Sequence, residues 1–234
     1  MKRVRALLMA PCLLAATAAF AQEPYIPTGS RVGRPAPATL STSTHLSDDD
    51  RAMRVVNAYA ECLVDYDAKK LRPMLSLKPR ALTETERKVL TQSRCLSGGD
   101  LTMPMQIVRG AIFRSFFFED FQDEELIFAP EAVNYFEYVQ PDQNTAWSIA
   151  SMLDFAGCVV RDVPARSIDF ISSIPGEPAE ATALNTLMPH LGPCMHEGLE
   201  IEFSKAMLRS YLSEALYWES LAGRTAKATS ETRE

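Results

Sequence analysis

Ala111-Ile112-Phe113-Arg114-Ser115-Phe116 and Ala206-Met207-Leu208-Arg209-Ser210-Tyr211 close two stretches of this chain that run in parallel. Each hexapeptide keeps Ala, Arg and Ser and fills the other places with apolar residues of matched size. Working backward, the first stretch reads Cys62-Leu63-Val64, Leu71, Met74, Leu77, Leu90, Cys95, Leu101 and Met103. The second reads Cys158-Val159-Val160, Ile168, Ile171, Ile174, Leu187, Cys194, Leu199 and Ile201, about 96 residues later. The anchors share their order and differ in spacing only by short insertions, which predicts a tandem duplication.

Four cysteines, an even number, fall inside these stretches, and the N-terminus has the layout of an export signal. Both facts favour disulfides over free thiols. Four cysteines allow three pairings. A duplicated unit most simply carries its own bridge, which selects Cys62 with Cys95 and Cys158 with Cys194. Loops of that length stabilise by about 3.5–4 kcal/mol each in the chain-entropy description.

Caps, periods and stops turn each stretch into helices. Ser47 before Asp48, Asp49 and Asp50 is a hydroxyl cap followed by acids where the helix dipole favours them. Ala52, Val55, Val56, Tyr59, Cys62 and Leu63 then recur at helical spacing, as do Ile149, Met152, Leu153, Ala156, Val159 and Val160 after Thr145. This pattern places Cys62 and Cys158 on the buried sides of their helices. Short second helices are expected over Asp67–Leu77 and Pro164–Ile174, stopped by Pro79 and Pro175. Third helices begin at Thr83-x-x-Glu86, a capping box, and near Pro178. Leu101–Met103 and Leu199–Ile201 alternate with period two and could meet as a two-stranded ribbon. The closing helices, Pro104–Phe121 and Glu202–Leu221, carry apolar faces too wide for a single contact, which predicts that they lie centrally and pack together.

The predicted fold class is therefore all-α, a tandem duplication of a three-to-four-helix disulfide-tied unit. Residues 1–21, with Lys2, Arg3 and Arg5 before an apolar run and Ala19-x-Ala21 at its end, read as a signal peptide. Pro11 before Cys12 argues against a lipoprotein. Residues 22–46 read as a disordered Pro/Ser/Thr-rich leader, 47–121 as the first unit, 122–144 as an acidic aromatic connector, 145–222 as the second unit and 223–234 as a fraying polar tail. No later stretch reaches the roughly 18 apolar residues of a membrane span. Removing three basic residues with the signal from the 24 present leaves 21 against 30 acids, a formal charge of −9, which disfavours nucleic acid.

Chemistry has few carriers. His190, Cys194 and His196 form H-x3-C-x-H, but a fourth ligand is missing nearby and the first stretch has no counterpart, so no metal is expected. Nine acids and no Lys or Arg lie between Ser115 and Val160, and their spacing lacks the calcium-loop pattern. Arg114 and Arg209, matched in the two hexapeptides, are the candidate binding residues, able to grip a carboxylate or phosphate across a shared cleft. The simpler alternative is that each pairs with an acid of its own unit. No nucleophile elbow, zinc-protease motif, phosphate loop or dinucleotide fingerprint occurs, so no catalytic residue and no cofactor is assigned.

The Cys-[VL]-V helix end, the second cysteine some 35 residues on and the closing Leu/Phe-Arg helix, each present twice, resemble secreted bacterial proteins that carry the same two tandem cysteine-framed units. The resemblance spans Ser47 to Leu221 and implies the architecture alone, since no activity is established for that group. The expected function is a non-catalytic periplasmic or secreted binding module for a protein, peptide or small molecule. A carboxylate-dependent hydrolase with its cleft between the units, or a structural envelope component, are the alternatives.

Overall fold

The computed structural model describes residues 24–33, 46–75, 83–91, 93–96, 103–137, 139, 144–195 and 204–232. In chain order these form β1 (Ile26–Arg31), α1 (Asp48–Met74), α2 (Glu84–Leu90), α3 (Met105–Phe121), β2 (Glu125–Phe128), α4 (Asn144–Asp162), α5 (Pro164–Ser172), α6 (Pro178–Leu187) and α7 (Lys205–Glu231). Single 3-10 turns lie at Ser93–Cys95, Met188–His190 and Gly192–Cys194. The protein is thus mostly helical, with one small antiparallel sheet in which Ile26 faces Phe128 and Pro27 faces Ile127.

α3 and α7 form the most extensive helix pair. α3 is apolar nearly all round, with Ile112, Phe113, Phe116, Phe117, Phe118 and Phe121 all buried. From α7, Tyr217 and Trp218 meet Phe113 at ring separations of 5.2 and 5.4 Å. Small residues let the backbones come close. A Cβ on Gly110 would lie 2.3 Å from Ser210 Cα, so only glycine fits there. Ser115, Ser210, Ser213 and Ser220 satisfy their buried hydroxyls on carbonyls one turn back in their own helices. α1 covers α3, while α4 and α5 cover α7.

Local signals account for the helix starts. Ser47 Oγ accepts from Asp50 N at 3.1 Å, Thr83 and Glu86 close a reciprocal capping box, and Ser204 Oγ accepts from Met207 N at 3.2 Å. The two helices expected over residues 47–77 run end to end as α1, with a non-helical kink at Asp67 (φ −134°, ψ 23°) where the second was expected to begin.

Disulfides join Cys62 to Cys95 and Cys158 to Cys194, each with Cα atoms 5.7 Å apart. Each ties a long helix to a 3-10 turn. The cysteines sit at the rim rather than on buried faces: Cys62 and Cys95 are half-buried, Cys158 is exposed, and only Cys194 is covered. Replacing Cys158 and Cys194 together by alanine is expected to lower stability by about 3–4 kcal/mol through the larger entropy of the unfolded chain. Urea unfolding of the two forms measures the difference.

Two further expectations need correction. Residues 22–46 were expected to be disordered, yet they contain β1, whose pairing is extended where Val32 N–H donates to Glu124 O and Asp123 N–H donates to Val32 O. Val32 is buried, which supplies the apolar anchor that the proline-rich composition obscured. The tail expected to fray from residue 223 continues α7 to Glu231, because Arg224 fastens it to Asp120 O and to Glu124. The sheet pairs β1 with β2, and of the expected ribbon only Met103 lies within the described residues. Within the connector, Leu126, Phe128 and Tyr135 are buried.

Candidate functional site

Arg114 and Arg209 do converge, but inward. They are 4% and 2% exposed, and both donate to the carbonyl of Ile171 at the end of α5, at 2.7 and 2.9 Å. Arg114 also pairs with Glu61 of α1 at 3.0 Å. Arg209 donates to Ser173 O and Oγ and pairs with Glu180 of α6 at 2.7 Å. Arg54 adds a third guanidinium to the same corner, donating to Pro175 O at 2.7 Å and pairing with Glu177. The α5–α6 corner, whose backbone turns at Gly176 with φ +79°, is therefore held by three arginines from three helices. Their donors serve the fold, and a carboxylate or phosphate has no access to Arg114 or Arg209.

Around this corner the charges are matched. Lys205 bridges Asp50 at 2.7 Å and Glu180 at 2.8 Å, and Gly176 N–H donates to Glu180 at 2.9 Å. Burial alone would raise the pKa of Glu180 and of Asp50. Lys205, joined by Gly176 N–H and Arg209 at Glu180 and by Ser47 at Asp50, outweighs burial and holds both below the ordinary carboxylate range. Burial pulls Arg209 down to about 10, so it stays charged at neutral pH. The sign for stability follows. Depressed carboxylates contribute above their unfolded values near pH 4, and that contribution is lost as pH falls through the lower folded values. Thermal melts between pH 7 and pH 2 are expected to drop steeply below about pH 4, and Glu180→Gln is expected to flatten that drop.

Two more buried carboxylates lie on α7. Glu214 is gripped by Arg109 through two nitrogens at 2.6 and 2.9 Å. Glu219 pairs with Arg161 at 2.8 Å and accepts from Val133 N. Burial, followed by the charge of Glu219, pushes the Tyr135 phenol well above its usual value, so it remains a neutral donor. Part of the acidic run from Ser115 is answered from elsewhere in the chain, with Arg72 on Glu119 and Asp120 and Arg224 on Glu124.

His190 is held on both ring nitrogens. Nδ1 lies 2.7 Å from Asp162 Oδ2, and Arg166 contacts Nε2. Arginine can only donate, so Nε2 accepts and Nδ1 carries the proton. Cys194 is consumed by its bridge, and His196 lies outside the described residues. No group of three or more His, Cys, Asp or Glu among the described residues is placed to hold a metal ion.

The described cavity lies elsewhere. A groove of about 580 Å³ runs between the last turns of α7 and the outer face of the sheet. Leu126 and Phe128 of β2 point into the core, so Tyr25, Pro27, Glu125 and Ile127, one residue out of phase with them, face the groove. The opposite wall is Arg224, Lys227, Ala228 and Glu231, a helical stripe at i, i+3, i+4 and i+7. Gly223 sets the approach, since a Cβ there would meet Ile127 O at 2.2 Å. Arg224 stacks over Phe121 at 4.0 Å, and Lys227 lies 5.8 Å from the Tyr25 ring. Lys227, Glu125 and Glu231 have no ion-pair partner among the described residues. The sequence reading missed this site because its walls are shared among segments taken for a leader, a connector and a tail. The stripe at 224, 227, 228 and 231 was the available signal.

The fold defines a mostly helical, disulfide-bonded protein with a two-stranded sheet, and no helix among the described residues is long and apolar enough to cross a membrane. No protein-family model matches the chain, and no curated protein or solved structure matches it.

Proposed function

We propose that this chain is an exported, non-catalytic binding protein of two tandem disulfide-tied helical units, with its ligand site in the groove between the end of α7 and the β1–β2 sheet. The observation that carries the reading is the contrast in charge pairing. Glu180, Glu214 and Glu219 are buried and each is neutralised by a cation within 2.8 Å, which is structural use. Lys227, Glu125 and Glu231 line a cavity without such partners among the described residues. These carboxylates are turned toward cations and N–H donors of the fold, which weighs against their serving as the acid and base of the hydrolase alternative.

The tandem organisation is supported by the bridges, each running from a long helix to a 3-10 turn at matched places, and by Arg114 and Arg209 from matched hexapeptides meeting on one carbonyl. Export is supported by the basic and apolar N-terminal run and by the two disulfides.

Screening a library of small polar and amphiphilic compounds against the isotope-labelled protein tests the site. Compounds that bind are expected to shift resonances of Tyr25, Ile127, Lys227 and Ala228. Shifts centred instead on Glu214 or Glu219 would overturn this assignment.

A further inference from the structure

Resting on the groove as the binding site, we infer that its ligand is a short zwitterionic peptide, three or four residues long, with an apolar middle. Along the strand direction the groove carries a cation without an ion-pair partner near one end and an acid without one at the other, among the described residues. Lys227 and Tyr25 mark one end, Pro27 and Ile127 the floor, and Glu125 the other end. Because Pro27 faces Ile127 and Ile26 faces Phe128, Tyr25 stands one step beyond Phe128, and Glu125 two steps before Ile127. Four strand steps of about 3.3 Å separate the ends by roughly 13 Å. An extended chain of three or four residues covers roughly 10–14 Å. The cavity, at about 580 Å³, is within the size range of sites that enclose small molecules.

The charges select the termini. An ammonium with three donors and no ion-pair partner suits a carboxylate, and Glu125 suits an amine. Glu124 adds negative charge at the amine end, although Arg224 shares it at 3.0 Å. Arg31 stands opposite Glu125 in the ladder, but it lines no part of the groove and makes no ion pair with Glu125 among the described residues. Pro27, Ile127, Phe121 and Ala228 give the middle of the peptide an apolar bed. Glu231, one turn beyond Lys227, opposes a carboxylate there, so this residue would restrain affinity.

Titrating the full chain with alanyl-leucyl-leucyl-alanine, its N-acetylated form and its C-amidated form, read by calorimetry and by the groove resonances, tests the inference. The free peptide is expected to bind, and blocking either end to weaken binding about tenfold, the scale of one lost charge-assisted hydrogen bond. Lys227→Met should abolish the difference between free and amidated peptides. Glu125→Gln should abolish that between free and acetylated ones. Glu231→Gln should tighten the free peptide by about two- to threefold. All three positions are exposed, and circular dichroism melts confirm that each variant is folded. If blocked and free peptides bind the groove alike, or if no peptide binds while other small compounds still shift the groove resonances, the peptide inference fails and the site stands. If nothing perturbs the groove, both fail.

Discussion

A chain carrying Gly110→Ala is expected to be less stable by about 2 kcal/mol or more, which for a protein of this size lowers the melting temperature by roughly 5–10 °C. The added methyl would sit 2.3 Å from both Cα and Cβ of Ser210 and 2.7 Å from its carbonyl oxygen. Two of these atoms are backbone and cannot swing aside, so α3 and α7 must part along their length. Alanine improves intrinsic helix propensity by about 1 kcal/mol over glycine, and the clash has to exceed that gain. Separating the helices also loosens the contacts of Phe113 with Tyr217 and Trp218. Gly110→Leu should leave little folded protein at room temperature. Gly192→Ala is the control: nothing lies within 4 Å of its added carbon, and a change under about 0.5 kcal/mol is expected. Equal melting of Gly110→Ala and the parent would show that the seam is not as close as described.

Arg209→Met should cost about 3–5 kcal/mol, the range for removing one partner of a buried ion pair. The guanidinium spans Ile171 O, Ser173 O, Ser173 Oγ and Glu180, and its face lies 4.6 Å from the centre of the Phe170 ring. Methionine keeps the volume but leaves Ser173 O without that donor and Glu180 with one cation fewer. Lysine keeps the charge but lacks the planar fork, so Arg209→Lys should recover only part of the loss. Glu180→Gln combined with Arg209→Met should be milder than the sum of the two changes, because no buried charge is stranded. Urea midpoints of the parent, Arg209→Met, Arg209→Lys, Glu180→Gln and the double variant decide the matter. An unchanged midpoint in Arg209→Met would mean that the α5–α6 corner holds without its arginine.

The helices were legible from the chain because their signals are local. Ser47, Thr83 and Pro178 each start a helix within one residue of where cap chemistry puts it. The central pairing of α3 and α7 was legible because the apolar faces of Pro104–Phe121 and Glu202–Leu221 are too wide for a single contact. β1 was not, because a six-residue edge strand containing Pro27 and Gly29 looks like a turn-rich linker until its partner is known. Nor was the fate of Arg114 and Arg209. Their matched places marked them as important, but whether a guanidinium faces solvent or a carbonyl depends on the α5–α6 corner, which lies more than thirty residues away from either. The groove escaped for the same reason, since its walls come from opposite ends of the chain.

The seam between α3 and α7 joins positions a hundred residues apart, Gly110 with Ser210. During synthesis at about 5–20 residues per second, the phenylalanine-rich α3 is therefore exposed for some 5–20 s before its partner exists. A nascent chain in that interval has α1 to cover one side of α3, while the side that α7 will occupy, with Gly110 and Phe113, is without its partner. Conditions that slow elongation between residues 121 and 205 lengthen that exposure and should raise aggregation without any change in the finished protein.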